Sequence, residues 1–116
     1  MHEIRSLSFF VLHTSLPQTS TAWLPPLDLY RTPNGWVVKL ELAGVRLQDV
    51  AITVHGSQMR VAGVRRDWQV EAGWRHQSME IAYNRFERTV TLPCDLEQAH
   101  ITADYRDGML LLQVAV

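Results

Sequence analysis

Five histidines, one cysteine and a scatter of carboxylates are the groups in this chain that bind metals or move protons, and their spacing argues against both. A zinc centre needs convergent ligands, usually supplied as two close pairs. Cys94 and His100 form the one close Cys/His spacing, no second pair accompanies them, and His2, His13, His55 and His76 are dispersed. Asp104 and Asp107 sit at an Asp-Gly turn that already accounts for them. There is no G-x-S-x-G, no P-loop and no G-x-G-x-x-G, so neither a nucleophile elbow nor a phosphate cradle is encoded. Arg65-Arg66 with Trp68 and Trp74 pairs guanidinium with indole, as single-strand nucleic-acid grooves do. Nearby acids and a balance of 11 basic against 12 acidic residues argue against that use. The expectation is a protein that is not an enzyme, with no cofactor, no metal and no nucleic-acid partner.

Behind those residues stands a chain of 116 residues, 47% of them hydrophobic, which is one domain's worth of core. Cys94 has no partner for an internal disulfide, which is compatible with a reducing compartment. No apolar run approaches the ~20 residues of a membrane span. Residues 7–12 (LSFFVL) imitate a signal-peptide core, but the run is short, His13 interrupts it and no small-x-small site follows promptly. The chain reads as cytoplasmic, with no membrane partner.

Residues 1–26 differ from the rest: Ser, Thr, Gln and Pro surround Phe9, Phe10, Val11 and Trp23, and Pro25-Pro26 closes the segment. Ile4, Leu7 and Val11 fall at helical spacing, which allows a short amphipathic helix within a partly ordered arm. The arm either packs on its own domain or contacts partners. From Leu27 the pattern changes to period 2. Residues 27–30 form a first strand and Asn34-Gly35 a hairpin turn. Trp36, Val38, Leu40 and Leu42 then share one face, as do Val50, Ile52 and Val54. Gly56-Ser57 turns the chain into Met59 and Val61, and Gly63 ends that pair. Phe86, Val90 and Leu92 share a face up to Pro93, and Leu110, Leu112 and Val114 share the last. With no convincing helix after residue 26, the chain is expected to be all-β, an antiparallel β-sandwich. Alternation also puts Arg88 on the apolar face of Phe86 and Val90, where a guanidinium needs acceptors. Glu80 is the expected partner.

Five motifs lie in order along residues 26–110. Pro26-x-Asp28 resembles the P-x-D entry to the first strand of the α-crystallin domain of the small heat-shock proteins. Glu41-Leu42-Ala43-Gly44-Val45 resembles its E-L-P-G-V, with Ala43 where Pro is usual, and Met59-x-Val61-x-Gly63 its L-x-I-x-G. Glu80-x-x-Tyr83-Asn84-x-Phe86-x-Arg88-x-x-x-Leu92-Pro93 is similar to E-x-x-Y-G-x-F-x-R-x-x-x-L-P, with Asn84 replacing Gly in a position suited to positive φ. Ala103-Asp104-Tyr105-Arg106-Asp107-Gly108-Met109-Leu110 resembles the closing A-x-x-x-n-G-v-L. Each motif is weak alone; together they identify residues 27–116 as an α-crystallin domain, an immunoglobulin-like sandwich.

The excursion from Arg65 to Ser78 is far longer than a hairpin loop and carries Trp68, Val70 and Trp74, which a solvated loop should not expose together. Its length is similar to that of the bacterial, archaeal and plant members, whose loop carries a strand that pairs with the first strand of a second subunit. The resemblance therefore implies a homodimer by strand exchange, with higher oligomers open, and an interface of Leu27, Leu29, Tyr30, Trp68, Val70, Trp74 and Arg88. It also implies ATP-independent holding of unfolding client proteins, through an arm (Phe9, Phe10, Val11) and through a groove. That groove would be flanked by Val50, Ile52 and Val54 on one edge and Ile101, Ala103 and Tyr105 on the other. Family members usually continue into a tail with an I-x-I motif. Val114-Ala115-Val116 imitates it in letters but aligns with the last strand, so the tail is expected to be absent and the groove empty of a C-terminal ligand. The other reading is a CS-domain-like co-chaperone docking on a partner chaperone, which normally lacks the long loop.

Overall fold

The structure is a computed structural model that describes the backbone of residues 2–5 and, in full, residues 23–116. Among the described residues, eight strands carry the fold: β1 (His2–Arg5), β2 (Leu27–Thr32), β3 (Gly35–Glu41), β4 (Val50–His55), β5 (Gln58–Val64), β6 (Arg85–Thr91), β7 (His100–Arg106) and β8 (Met109–Ala115). They form a five-stranded sheet in the order β1-β7-β8-β3-β2 and a three-stranded sheet in the order β4-β5-β6. Every strand pairing is antiparallel. The helical content of the described residues is two single 3₁₀ turns, Leu47–Asp49 and Leu96–Gln98.

The period-2 pattern explains the layers. Val38, Leu40, Leu110, Leu112 and Ile101 line the inner face of the larger sheet, and Ile52, Val54, Met59, Val61 and Phe86 that of the smaller; all are buried in one cluster. No polar or charged residue is buried among the described residues. Gly63 of β5 lies directly across from Phe86 in the ladder, and a Cβ there would come within 2.7 Å of the Phe86 ring. A glycine at this position lets the aromatic ring fill the space between strands.

The turns follow local chemistry. Asp107 and Gly108, between β7 and β8, both have positive φ (53° and 79°), the geometry of a tight hairpin turn matched to strand twist. The Asn34-Gly35 turn expected from the sequence is displaced by one residue. The turn residues are Pro33 and Asn34, while Gly35 opens β3 paired with Thr32. Its lack of a side chain has a steric cause, since a Cβ would collide with the carbonyl of Val114.

Two further expectations are corrected. The helical spacing that includes Ile4 is not realised there, since Ile4 lies in strand β1 opposite Ile101, while Leu7 and Val11 lie outside the described residues. Four backbone rungs on an open edge outweigh a weak three-residue apolar period. Asn84 does not take a positive φ; among the described non-glycine residues only Asp107 does. Asn84 instead offers its carbonyl to the Arg65 amide at 3.0 Å, closing the base of the long loop in ordinary backbone geometry.

Candidate functional site: the sheet edges and the tryptophan loop

In a β-sandwich, unpaired strand edges and exposed apolar surface are the features open to partners. With the four-residue β1 set aside, four outer edges have to be accounted for, those of β7, β6, β2 and β4. The outer edge of β7 carries β1, in the register His2↔Ala103, Glu3↔Thr102, Ile4↔Ile101 and Arg5↔His100. The β7 edge, one flank of the expected groove, is therefore paired by the chain's own N-terminal segment. The edge of β6 is stapled by the residues just before β2. The Trp23 amide donates to the Arg85 carbonyl, and Trp23 makes a parallel bridge to Phe86 and packs edge-on against its ring. Arg88 Nη1 donates to the carbonyl of Pro25 at 2.8 Å. The acceptor Arg88 needed is thus a backbone carbonyl; Glu80, the expected partner, lies exposed in the loop. The edges of β2 and β4 have no strand beside them among the described residues.

Beside the bare β2 edge, Leu27 is half-buried against the core while Leu29 and Tyr30 are exposed. Residues 65–84 form the long connection between β5 and β6 and contain no strand. Its base is fixed. Arg65 stacks on Trp23 at 3.7 Å, its Nε donates to the Ala82 carbonyl at 2.8 Å and its Nη1 to the Ala43 carbonyl at 3.1 Å. Arg66 pairs with Asp49 at 3.1 Å, and Arg46 covers one face of Trp68 at 4.4 Å. Both guanidiniums that suggested nucleic-acid contact are thus engaged within the chain. Beyond this base the loop turns at Glu71–Trp74, with Gly73 at positive φ. Trp68 is 52% exposed, Val70 46%, Trp74 60%, Met79 54% and Ile81 60%. Large apolar side chains at this density on one loop are unusual for a surface that meets only water.

The expected groove residues fall on strands of opposite sheets. Ile52, Val54, Ile101 and Ala103 are buried, whereas Val50 is half-buried. Tyr105 is half-buried, and its hydroxyl lies 2.6 Å from the Leu42 carbonyl and 2.8 Å from the Val45 carbonyl, so its one hydrogen is shared between them. Burial pushes the Tyr105 hydroxyl above the usual phenol range. Through this contact β7 holds the Leu42–Val45 turn, whose Leu42 amide also donates to the Gly108 carbonyl. Phe9, Phe10 and Val11 lie outside the described residues. Cys94 borders an open apolar depression at the end of the smaller sheet, lined also by Gly56, Ser57, Thr91, Leu92 and Pro93.

An all-β sandwich of two antiparallel sheets with a long loop between β5 and β6 can be compared with known proteins. Residues 28–116 match the family model described as Hsp20/alpha crystallin family. The chain belongs to that family. It is 28% identical over 95 residues to the spore protein SP21 of Stigmatella aurantiaca, a match covering 82% of this chain and 56% of that one. Against the small heat shock protein C2 of Rickettsia felis it is 23% identical over 91 residues, covering 78% and 59%. The chain thus spans less than two thirds of the length of these curated relatives. Among solved structures, heat shock protein 16.0 of Schizosaccharomyces pombe superposes with a TM-score of 0.70 at 22% identity, covering 80% of this chain and 86% of that one. A small heat-shock protein from Xylella fastidiosa gives 0.69 at 24% identity, covering 82% and 87%. At these identities the two structures speak for the fold. Among the described residues, no helix of this family member is long and apolar enough to cross a membrane.

Sequence reasoning missed two parts of this surface. Met79, Ile81 and Tyr83 extend the exposed apolar stretch past Ser78, and their alternation with Glu80 and Ala82 was a period-2 signal open to reading. The His2–Arg5 strand carried no such signal, since four residues are too few to show a period.

Proposed function

We propose that this chain is an ATP-independent holdase that works as a strand-exchanged homodimer, keeping partly unfolded client proteins soluble in the cytoplasm. The observation that carries the reading is the pairing of a bare edge with an exposed apolar loop. β2 ends its sheet with Leu29 and Tyr30 exposed, and the 65–84 loop holds out Trp68, Val70, Trp74, Met79 and Ile81 on a firmly pinned base. An unpaired edge invites strand addition, and in a symmetric dimer each loop would add to the other copy's β2. Such an exchange would cover both liabilities at once, with Leu27, Leu29, Tyr30, Trp68, Val70 and Trp74 at its centre. Family membership supports the same reading.

Holding requires no nucleotide. Unfolding proteins expose apolar surface, and contact with a chaperone competes with their self-association. The surfaces offered are the arm around Phe9, Phe10 and Val11, and the groove between the β4 and β7 edges, with Val50, Ile52, Val54, Ile101, Ala103 and Tyr105 along it. Cys94, with no cysteine partner, suits a reducing compartment. Light scattering of a heat-labile client tests the proposal. Suppression of scattering without ATP, at near-stoichiometric amounts of this protein, is expected. Unchanged scattering at a tenfold excess (on the order of what weak apolar contact requires) would favour the co-chaperone reading instead.

A further inference from the structure

We propose that Arg46 and Asp49 are positioning residues for strand exchange, a clasp that fixes the first limb of the 65–84 loop before a partner arrives. This rests on the reading of that loop and the bare β2 edge as the two halves of a dimer interface. Two contacts join the same pair of short segments. Arg66 Nε donates to Asp49 Oδ2 at 3.1 Å with its Nη2 3.5 Å from Oδ1, and the Arg46 guanidinium stacks on Trp68 at 4.4 Å. Residues 46 and 49 meet 68 and 66 in antiparallel order, so the clasp prolongs the run of β4 against β5 past its last rung at Val50 and Gly63. Where backbone pairing between the two strands stops, side chains take over.

One half of the clasp belongs to the frame. The Asp49 amide donates to the Arg46 carbonyl at 2.8 Å, which ties the two clasp residues to each other, and a Cβ on Gly63 would collide with the Asp49 carbonyl. Asp49 is therefore seated directly on β5. The other half belongs to the loop. Arg65 holds its backbone through Trp23, Ala43 and Ala82, and the clasp extends that fixed root from Arg65 to Trp68. Arg46 covers one face of the indole, yet Trp68 remains 52% exposed, which leaves surface for an apolar neighbour. An exposed ion pair and an exposed stack add little to folding. Their larger effect falls on association, because a loop already held at its root has less freedom to lose when it binds.

The test compares the full chain with Arg66→Asp and with the double variant D49R/R66D, in which the pair is restored with its charges exchanged. The readouts are the dimer dissociation constant by sedimentation equilibrium, its dependence on sodium chloride, and the urea midpoint at a dilution where every protein is monomeric. Arg66→Asp should raise the dissociation constant about tenfold, as follows when roughly one loop in three stays correctly held and a dimer needs two of them. Its urea midpoint should match the parent's, because the broken pair is exposed. The double variant should recover most of the lost affinity. Raising sodium chloride from about 0.05 to 0.5 M should weaken the parent and the double variant but not Arg66→Asp, since salt screens an exposed pair. Arg46→Gln removes the stack alone and should weaken the dimer about threefold; it decides the matter if the double variant does not fold. Equal or tighter dissociation constants in Arg66→Asp and Arg46→Gln would overturn the clasp while leaving the exchanged dimer standing. A loss in Arg66→Asp that a folded double variant does not recover would also overturn it, because Arg66 would then be acting through a group other than Asp49. A parent that stays monomeric at every concentration would overturn the exchange reading itself, and the proposal with it.

Discussion

The two ends of the five-stranded sheet are treated in opposite ways. At one end β7 is paired along four residues by β1 of the same chain. At the other, β2 is left without a neighbour among the described residues, with Leu29 and Tyr30 in solvent. The smaller sheet repeats the contrast, with β6 stapled by Trp23 and Pro25 and β4 bare. Edges closed from within contribute to the stability of one chain. Edges left open contribute only when another chain arrives, so they are where function should be sought. The division predicts that substitutions at stapled edges change stability and leave stoichiometry alone, and that substitutions at the bare edge do the reverse.

The strongest challenge to the stapled side is Phe86→Ala. Phe86 is fully buried, meets Trp23 edge-on and fills the space over Gly63, so its loss leaves a cavity and frees the staple. A destabilisation of about 3–5 kcal/mol is expected in urea denaturation. Arg88→Ala comes next, because it removes a charged hydrogen bond and leaves the Pro25 carbonyl short of a donor. It should cost ~2 kcal/mol and speed exchange at the Trp23 amide. An unchanged midpoint with a lost dimer would mean that Arg88 belongs to the interface, and the comparison of edges would have to be redrawn.

Tyr105→Phe reaches the covered end from the inside and should cost about 1 kcal/mol by breaking the hydroxyl's contact with the Leu42–Val45 turn. It also carries a pH signature. Because burial raises the hydroxyl above its unfolded value of 10.0, the folded chain keeps a proton that the unfolded chain releases. That contribution is complete below pH 10.0 and is lost as pH rises through the folded value. Alkaline denaturation of the parent should therefore show a component that Tyr105→Phe lacks. The smallest effect belongs to Arg60 and Glu87, cross-strand partners on the exposed face of the smaller sheet, 2.8 Å apart. The hydrogen bond from Arg60 holds the Glu87 carboxyl below its usual range. The stabilisation is present above the ordinary carboxylate pKa of 4.5 and fades as pH falls through the folded value. Glu87→Gln should change stability by less than about 1 kcal/mol and slightly flatten the acid limb.

What could be read from the sequence follows the length scale of each cause. Strands β3, β4, β5, β6 and β8 were legible because alternation over six or seven residues records which face is buried, and the Asp107-Gly108 turn because only certain residues take positive φ. The Pro33-Asn34 turn was misplaced because Gly35 answers to a carbonyl 79 residues away, a contact that no local pattern encodes. Arg88 was correctly placed on the apolar face, but its acceptor is a backbone carbonyl, and every residue offers one. The exposed loop was recognised from its length and its two Trp. The cover over β7 was not, because a four-residue strand leaves no periodic trace.

The central claim is that the tryptophan loop and the bare β2 edge complete each other between two copies. Sedimentation of the parent beside a variant lacking residues 66–73, with circular dichroism to check the sandwich, tests it most directly. The account predicts a dimer or an even multiple for the parent, and a folded monomer for the deletion, because Trp68 and Val70 leave with the segment. A deletion variant that remains dimeric with an unchanged dissociation constant would contradict it.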